Sequence, residues 1–193
     1  MAITKTDVVN RALSKIGSAK ITSLDDDVSR EARESRNVYE IALRNELRLR
    51  KWSFSIKRSS LALEVTVPLD INNDFTKQFA LPSDYIRLIS TSMSYAPDSY
   101  SLEGNKVLTN VSEFRVRYIA YISDPNAWDA SFLEVFACRL AMELAEPLTQ
   151  STEKFTKAER QYDKAIAFAR VAGSLEHASQ SIEADTWEMS RNI

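Results

Sequence analysis

The sequence predicts an α+β protein: a four-helix bundle-like α domain with an antiparallel β-rich subdomain inserted between helices 2 and 3. Three observations carry this. Apolar residues recur at helical spacing in both flanks, and the middle third switches to strict alternation. One later segment is apolar on nearly every side and needs cover from its neighbours. The expected boundaries are residues 1–51 and 124–176 for the bundle, 52–123 for the β-rich insertion, and 177–193 for a polar tail.

The first helix is expected over Thr6–Ile16, where Val9, Ala12, Leu13 and Ile16 share a face. Thr4 with Asp7 three residues on is a weaker form of the capping box, and Gly17 supplies a left-handed stop. A loop follows and ends in Asp25-Asp26-Asp27. Three adjacent acids could bind a metal, but capping the next helix is the better reading. That helix is expected over Val28–Arg50, with Ala32, Tyr39 and Ala42 in one stripe and Val38, Ile41 and Leu49 beside it. Leu43 and Leu47 widen the apolar surface at its C-terminal half.

Trp52-Ser53-Phe54-Ser55-Ile56-Lys57 alternates as a half-buried strand should. Alternation returns at Leu61, Leu63, Val65 and Val67, where Pro68 closes the run. Pro82-Ser83-Asp84 reads as a turn, and Glu103-Gly104-Asn105-Lys106 as a hairpin connection. The clearest strand places Phe114, Val116, Tyr118, Ala120 and Ile122 against Arg115, Arg117, Ile119 and Tyr121. Asp124-Pro125 then breaks the sheet.

From Ala130 to Glu146 nearly every side chain is apolar, and Arg139, Glu143 and Glu146 fall within one narrow wedge, so this helix is central. Cys138 within it reads as a small core residue, and Pro147 as the end or a kink. The last helix, Thr152–Ala172, carries Phe155, Ala158, Tyr162, Ala165, Ala169 and Ala172 in a heptad seam, with Gly173 as its break.

Scarcity limits the chemistry. Three scattered glycines cannot build a glycine-rich phosphate cradle, and one His plus one Cys cannot supply a structural zinc site. His177 is the sole histidine available to a catalytic triad, and its polar surroundings favour a solvated or interface role. No cofactor or catalytic residue is therefore expected. A glycosidase pair needs carboxylates roughly 5–9.5 Å apart, and among 27 acids some pair always qualifies. The N-terminus lacks a secretory signal's apolar region, no run is long enough to anchor the chain in a membrane, and a single Cys suits a reducing cytoplasm.

Two surfaces stand out as partner-binding candidates. Between Arg44 and Arg58 lie six bases (Arg44, Arg48, Arg50, Lys51, Lys57, Arg58) and one acid (Glu46), a local balance of +5. Residues 126–193 hold eleven acids and seven bases, a balance of −4. The basic run, interleaved with Trp52 and Phe54, could bind nucleic acid. It could also send its rings into the core and its charges outward, or meet an acidic patch on a neighbouring subunit. The last is preferred to DNA binding. In the tail, Trp187, Met189 and Ile193 are large apolar residues among charges, suited to docking on the chain's own bundle or on a partner.

The order of motifs carries a resemblance. Ala12-Leu13-Ser14-Lys15-Ile16-Gly17, Ile21-Thr22-Ser23-Leu24-Asp25-Asp26-Asp27, Arg30-Glu31-Ala32, Tyr39, and Leu47-Arg48 before Trp52-Ser53-Phe54 open it. Leu81-Pro82-Ser83-Asp84-Tyr85-Ile86-Arg87, Glu103 to Leu108, Arg117-Tyr118-Ile119, Ser123-Asp124-Pro125, Phe132 to Leu148 and the Tyr162 helix continue it. Over nearly its whole length the chain resembles the tail tubular protein A family of podovirus-type bacteriophages. Ser53 and Ser55 depart mildly from the residues expected around the aromatic pair. The resemblance implies a structural virion protein: a dodecameric adaptor, or gatekeeper, ring between the portal protein and a tail nozzle protein. Such a ring is assembled in the host cytoplasm, sits in the virion tail, offers a platform to tail fibres and passes DNA through its lumen without sequence-specific binding. The alternatives it leaves are a capsule-polysaccharide glycoside hydrolase carried by a tail protein, and a head-completion or neck protein of another tail type.

Overall fold

A computed structural model describes residues 2–66, 75–92 and 100–176. Pro68, His177, Trp187, Met189 and Ile193 lie outside the described residues. The fold is α+β, with antiparallel sheets inserted between the second and third of four helices.

Helix α1 (Lys5–Ile16) starts at Thr4, whose hydroxyl accepts from the Asp7 amide at 3.1 Å, while Asp7 Oδ2 accepts from the Thr4 amide at 2.9 Å. These reciprocal bonds hold the Asp7 carboxyl below its ordinary pKa. Gly17, at φ 66°, closes the helix in the left-handed conformation.

Helix α2 (Arg30–Leu49) is capped by Ser29, whose hydroxyl accepts from the Ala32 amide at 3.3 Å. The three aspartates therefore do not cap it directly. Asp27 instead accepts from the amides of Ser29 at 2.8 Å and Thr22 at 3.0 Å, which ties the loop to itself and lowers the Asp27 pKa. From α1, the Asn10 side chain makes a two-way bond to the Ile21 backbone, at 2.8 and 2.9 Å. From α2, Arg36 donates to the carbonyls of Leu24 and Asp27 at 2.7 and 2.8 Å. A loop without regular hydrogen bonding thus satisfies its backbone through side chains from both flanking helices.

The alternation at residues 52–57 does not give a strand throughout. Residues Ser53–Ser55 form one 3₁₀ turn, with the Ser55 amide and hydroxyl both on the Trp52 carbonyl at 3.0 and 2.9 Å. The serine hydroxyl offers that carbonyl a local partner in place of a strand neighbour. The turn sends both Trp52 and Phe54 onto Phe132, with ring centroids 4.9 and 5.0 Å away.

Strand β1 (Ile56–Leu61) follows, then β2 (Leu63–Thr66), β3 (Lys77–Ala80), β4 (Tyr85–Thr91), β5 (Tyr100–Glu103), β6 (Lys106–Thr109) and β7 (Phe114–Ala120). They form two antiparallel sheets, ordered β1-β7-β4 and β2-β3-β6-β5. Leu61, Phe79, Val107, Phe114, Val116 and Tyr118 fill the space between the sheets. The opposite face of β1-β7-β4 is covered at one end, where Ile56, Ile86 and Ile119 join the helical core. β7 alternates as its sequence predicts: Phe114, Val116, Tyr118 and Ala120 all face the inter-sheet core.

Helix α3 (Ala130–Thr149) is the centre of the bundle. Phe132, Val135, Phe136, Leu140, Ala141 and Leu144 are fully buried, and Cys138 is 1% exposed. Burial pushes the Cys138 thiol pKa up, which suits a core residue and not a nucleophile. Pro147 does not end the helix. Two more residues follow, and Gln150, at φ 51°, closes it with its amide on the Glu146 carbonyl at 3.0 Å. Arg30 donates to the Pro147 carbonyl. Helix α4 (Thr152–Glu176) likewise runs through Gly173, which exposed helix interiors tolerate at about 1 kcal/mol relative to alanine. Ala158, Tyr162 and Ala165 are buried on its seam, with Phe155 and Ala169 partly buried. The small side chains of Ala158, Ala165 and Ala169 let α4 lie close along α3.

Candidate interaction surfaces

Most of the basic run at the end of α2 is engaged inside the molecule. Arg44 lies over the Tyr121 ring, 4.2 Å from guanidinium carbon to centroid, and approaches Glu40 at 3.5 Å. Arg48 donates to the Ile86 carbonyl at 2.7 Å. Both fasten α2 to the sheet. Tyr121 also donates to Glu40; burial first, and then this carboxylate, pushes its phenol up to about 12.

Arg50 faces inward. Its guanidinium sits 2.5 Å from Glu46 Oε1, and the Glu46 side chain is wholly buried. Tyr162 from α4 donates to Glu46 Oε2 at 2.7 Å, and burial followed by this carboxylate raises the tyrosine's pKa. Trp52 Nε1 reaches the Glu46 carbonyl at 3.3 Å. A buried charge thus joins α2 to α4, with its lone pairs satisfied. Composition gave no sign of it, although Glu46 four residues before Arg50 is a spacing at which helical side chains meet.

Lys51 is exposed, as Arg44 and Arg48 are, but unlike them it makes no hydrogen bond or ion pair among the described residues. It borders a groove of about 470 Å³, lined also by Trp52, Asp129, Ile166, Ala169 and Arg170, which extends to Gly173 near the end of α4. Phe168, 75% exposed, lies elsewhere on the same helix end. The groove combines apolar walls with the bases Lys51 and Arg170 and the acid Asp129, while Arg50 at its wall is paired with Glu46. The tail candidates Trp187, Met189 and Ile193 follow α4 in the chain but are outside the described residues.

The motifs of the resemblance are structural joints. In Leu81-Pro82-Ser83-Asp84-Tyr85, the Tyr85 amide closes the turn onto the Pro82 carbonyl at 3.0 Å. Asp84 accepts from Lys57 at 2.7 Å and from Tyr118 at 3.0 Å. Partial burial would raise the Asp84 pKa, but those two donors outweigh it and hold the carboxyl low. Glu134 on α3 receives Arg11 at 2.7 Å and Lys15 at 2.6 Å from α1, again with donors outweighing burial. Among the described residues no group of three or more His, Cys, Asp or Glu side chains is arranged to hold a metal, and no helix is long and apolar enough to cross a membrane.

One further surface is assembled from residues that the sequence keeps apart: Arg58 closes the basic run, while Arg115 and Arg117 read only as the outward side of a strand. Arg58 on β1 is the direct cross-strand partner of Arg117 on β7, and Arg115 follows on the same face. Ser60 stands opposite Arg115 and Ser90 opposite Arg117. Only the pairing register brings them together. No protein-family model and no curated protein matches the chain.

Proposed function

We propose that this chain is a structural subunit of a head-to-tail adaptor ring, joining a phage portal to the tail nozzle and leaving a passage for the genome. The carrying observation is the role of the residues that make up the resemblance. Ile21 bound by Asn10, Leu24 and Asp27 by Arg36, Asp84 by Lys57 and Tyr118, and Trp52 against Phe132 each tie a residue of those motifs to another element. They support a rigid part whose work is to hold shape. The groove at the end of α4 adds an assembly surface, because its Lys51 and Arg170 complement Glu183, Asp185 and Glu188 around Trp187 in the tail. In this reading the groove receives the tail of a neighbouring copy.

Mass measurement of the chain alone and mixed with its portal, followed by imaging, tests the proposal. The expected product is a closed ring of this chain on the portal. A truncation after Ala184 is expected to fold but to assemble poorly. A full-length chain that stays monomeric on a competent portal overturns the reading. Release of sugar from capsule polysaccharide, lost on neutralising one carboxylate, would move it to the hydrolase class.

A further inference from the structure

The outer end of the β1-β7-β4 sheet carries like charge where a sheet ordinarily avoids it. Arg58 and Arg117 stand directly opposite each other, a pairing that destabilises a sheet. Arg115 lies two residues along β7 on the same face, about 7 Å away. Neither Arg58 nor Arg117 forms an ion pair among the described residues, and the buried Nε of Arg117 has no hydrogen-bond partner there. Glu113 approaches Arg115 at 3.5 Å with both side chains more than 70% exposed, which neutralises little. Closer to the bundle the same face is covered by the helical core at Ile56 and Ile119, so the arginines begin where that cover ends.

Ser60, Ser90 and Ser92 surround the arginines in an open hollow of about 440 Å³. We infer that this arginine–serine face binds the phosphate backbone of duplex nucleic acid. Guanidinium forks match phosphate oxygens bidentately, and short hydroxyls between them add donors that position a backbone without reading bases. A row of guanidiniums also suits a polymer bearing one charge per roughly 3.4 Å along each strand. The lining argues against other polyanions. Among the described residues it holds no aromatic ring on which unpaired bases could stack. Its one apolar member among them, Val116, is turned into the inter-sheet core and offers a protein partner no hydrophobic anchor. The inference rests on this face alone and does not require the adaptor reading.

Fluorescence anisotropy of the full-length chain with a labelled 25-base-pair duplex of arbitrary sequence tests it. The wild type is expected to bind at 50 mM salt and to weaken steeply as salt rises. The double substitution Arg58→Gln with Arg117→Gln is expected to lower affinity on the order of a hundredfold and to flatten the salt slope by about 2. Arg115→Gln, on a side chain 71% exposed, is expected to flatten it by about 1 and serves if the double variant folds poorly. Lys157→Gln on α4 is the control for non-specific charge. Absence of wild-type binding at 50 mM salt, unchanged affinity in the arginine variants, or an equal loss in the control overturns the inference. So does binding of a single strand or a poly-glutamate peptide as tightly as the duplex. Loss of DNA binding with ring formation intact, or the reverse, separates this inference from the adaptor reading.

Discussion

Two arginine-rich clusters sit a short stretch of chain apart and could hardly be more different in use. At the end of α2, Arg44 stacks on Tyr121, Arg48 caps the Ile86 carbonyl and Arg50 neutralises buried Glu46. On the sheet, Arg58 and Arg117 face each other with no acid between them. Charge density in the sequence flags the first, with Arg58 at its edge, but does not join Arg58 to Arg115 and Arg117. Partner availability reverses that ranking: arginines with partners inside the chain hold the fold, and arginines without them have their donors free for something outside. Local charge counts cannot make this distinction, because it depends on which strands pair.

The comparison breaks most sharply at Glu46. Glu46→Ala leaves the Arg50 charge partly buried and the Tyr162 hydroxyl without its acceptor. Removing one partner of a buried pair costs about 3–5 kcal/mol. The variant is expected to melt well below the wild type, by roughly 2–4 °C per kcal/mol for a chain of this length. Replacing both partners by apolar residues, Glu46→Leu with Arg50→Met, is expected to recover much of the loss. A single variant that melts with the wild type shows that Arg50 is not a structural charge and returns it to the surface candidates.

A smaller, pH-dependent effect belongs to the structural acids. Glu134 and Asp84 have folded-state pKa values below their ordinary ones, because Lys15 and Arg11, or Lys57 and Tyr118, outweigh burial. Such a group stabilises the fold above its unfolded pKa, about 4 for these residues, and the contribution disappears as pH falls through the folded value. Glu134→Gln is therefore expected to melt below the wild type at pH 7, with the gap closing toward pH 3. A gap that stays constant with pH assigns the difference to packing instead.

The local devices were readable in the sequence because each is decided within a few residues. The Thr4–Asp7 box, the Gly17 stop, the Gly104 hairpin and the alternation of β7 all appear as expected. The α4 seam appears for the same reason: its period is fixed by the helix itself. The misses share a different cause. Ser29 rather than Asp27 caps α2, Ser55 folds back onto Trp52, and α3 and α4 continue through Pro147 and Gly173. In each, a nearby hydrogen bond or tertiary packing outweighs the local preference. Of the interaction surfaces, Lys51 remains on a groove, Arg44, Arg48 and Arg50 are occupied, and the sheet arginines are brought together only by a strand pairing that local sequence does not specify.

The finest test of the comparison asks what the sheet arginines do when nothing is bound. Arg58→Thr places a β-branched residue at an exposed strand position and removes the like-charge neighbour of Arg117. Cross-strand charge pairs are worth roughly 0.2–1 kcal/mol, so the variant is expected to melt a degree or two above the wild type at low salt, with the gain shrinking as salt screens the repulsion. Addition of duplex DNA should invert the order, since a ligand stabilises the chain that binds it more tightly. The inversion is more informative than either melt alone. A gain without inversion leaves an unrelieved repulsion with no ligand to explain it. A loss of stability in the free variant gives Arg58 an internal partner after all, and the two clusters would then differ in degree only.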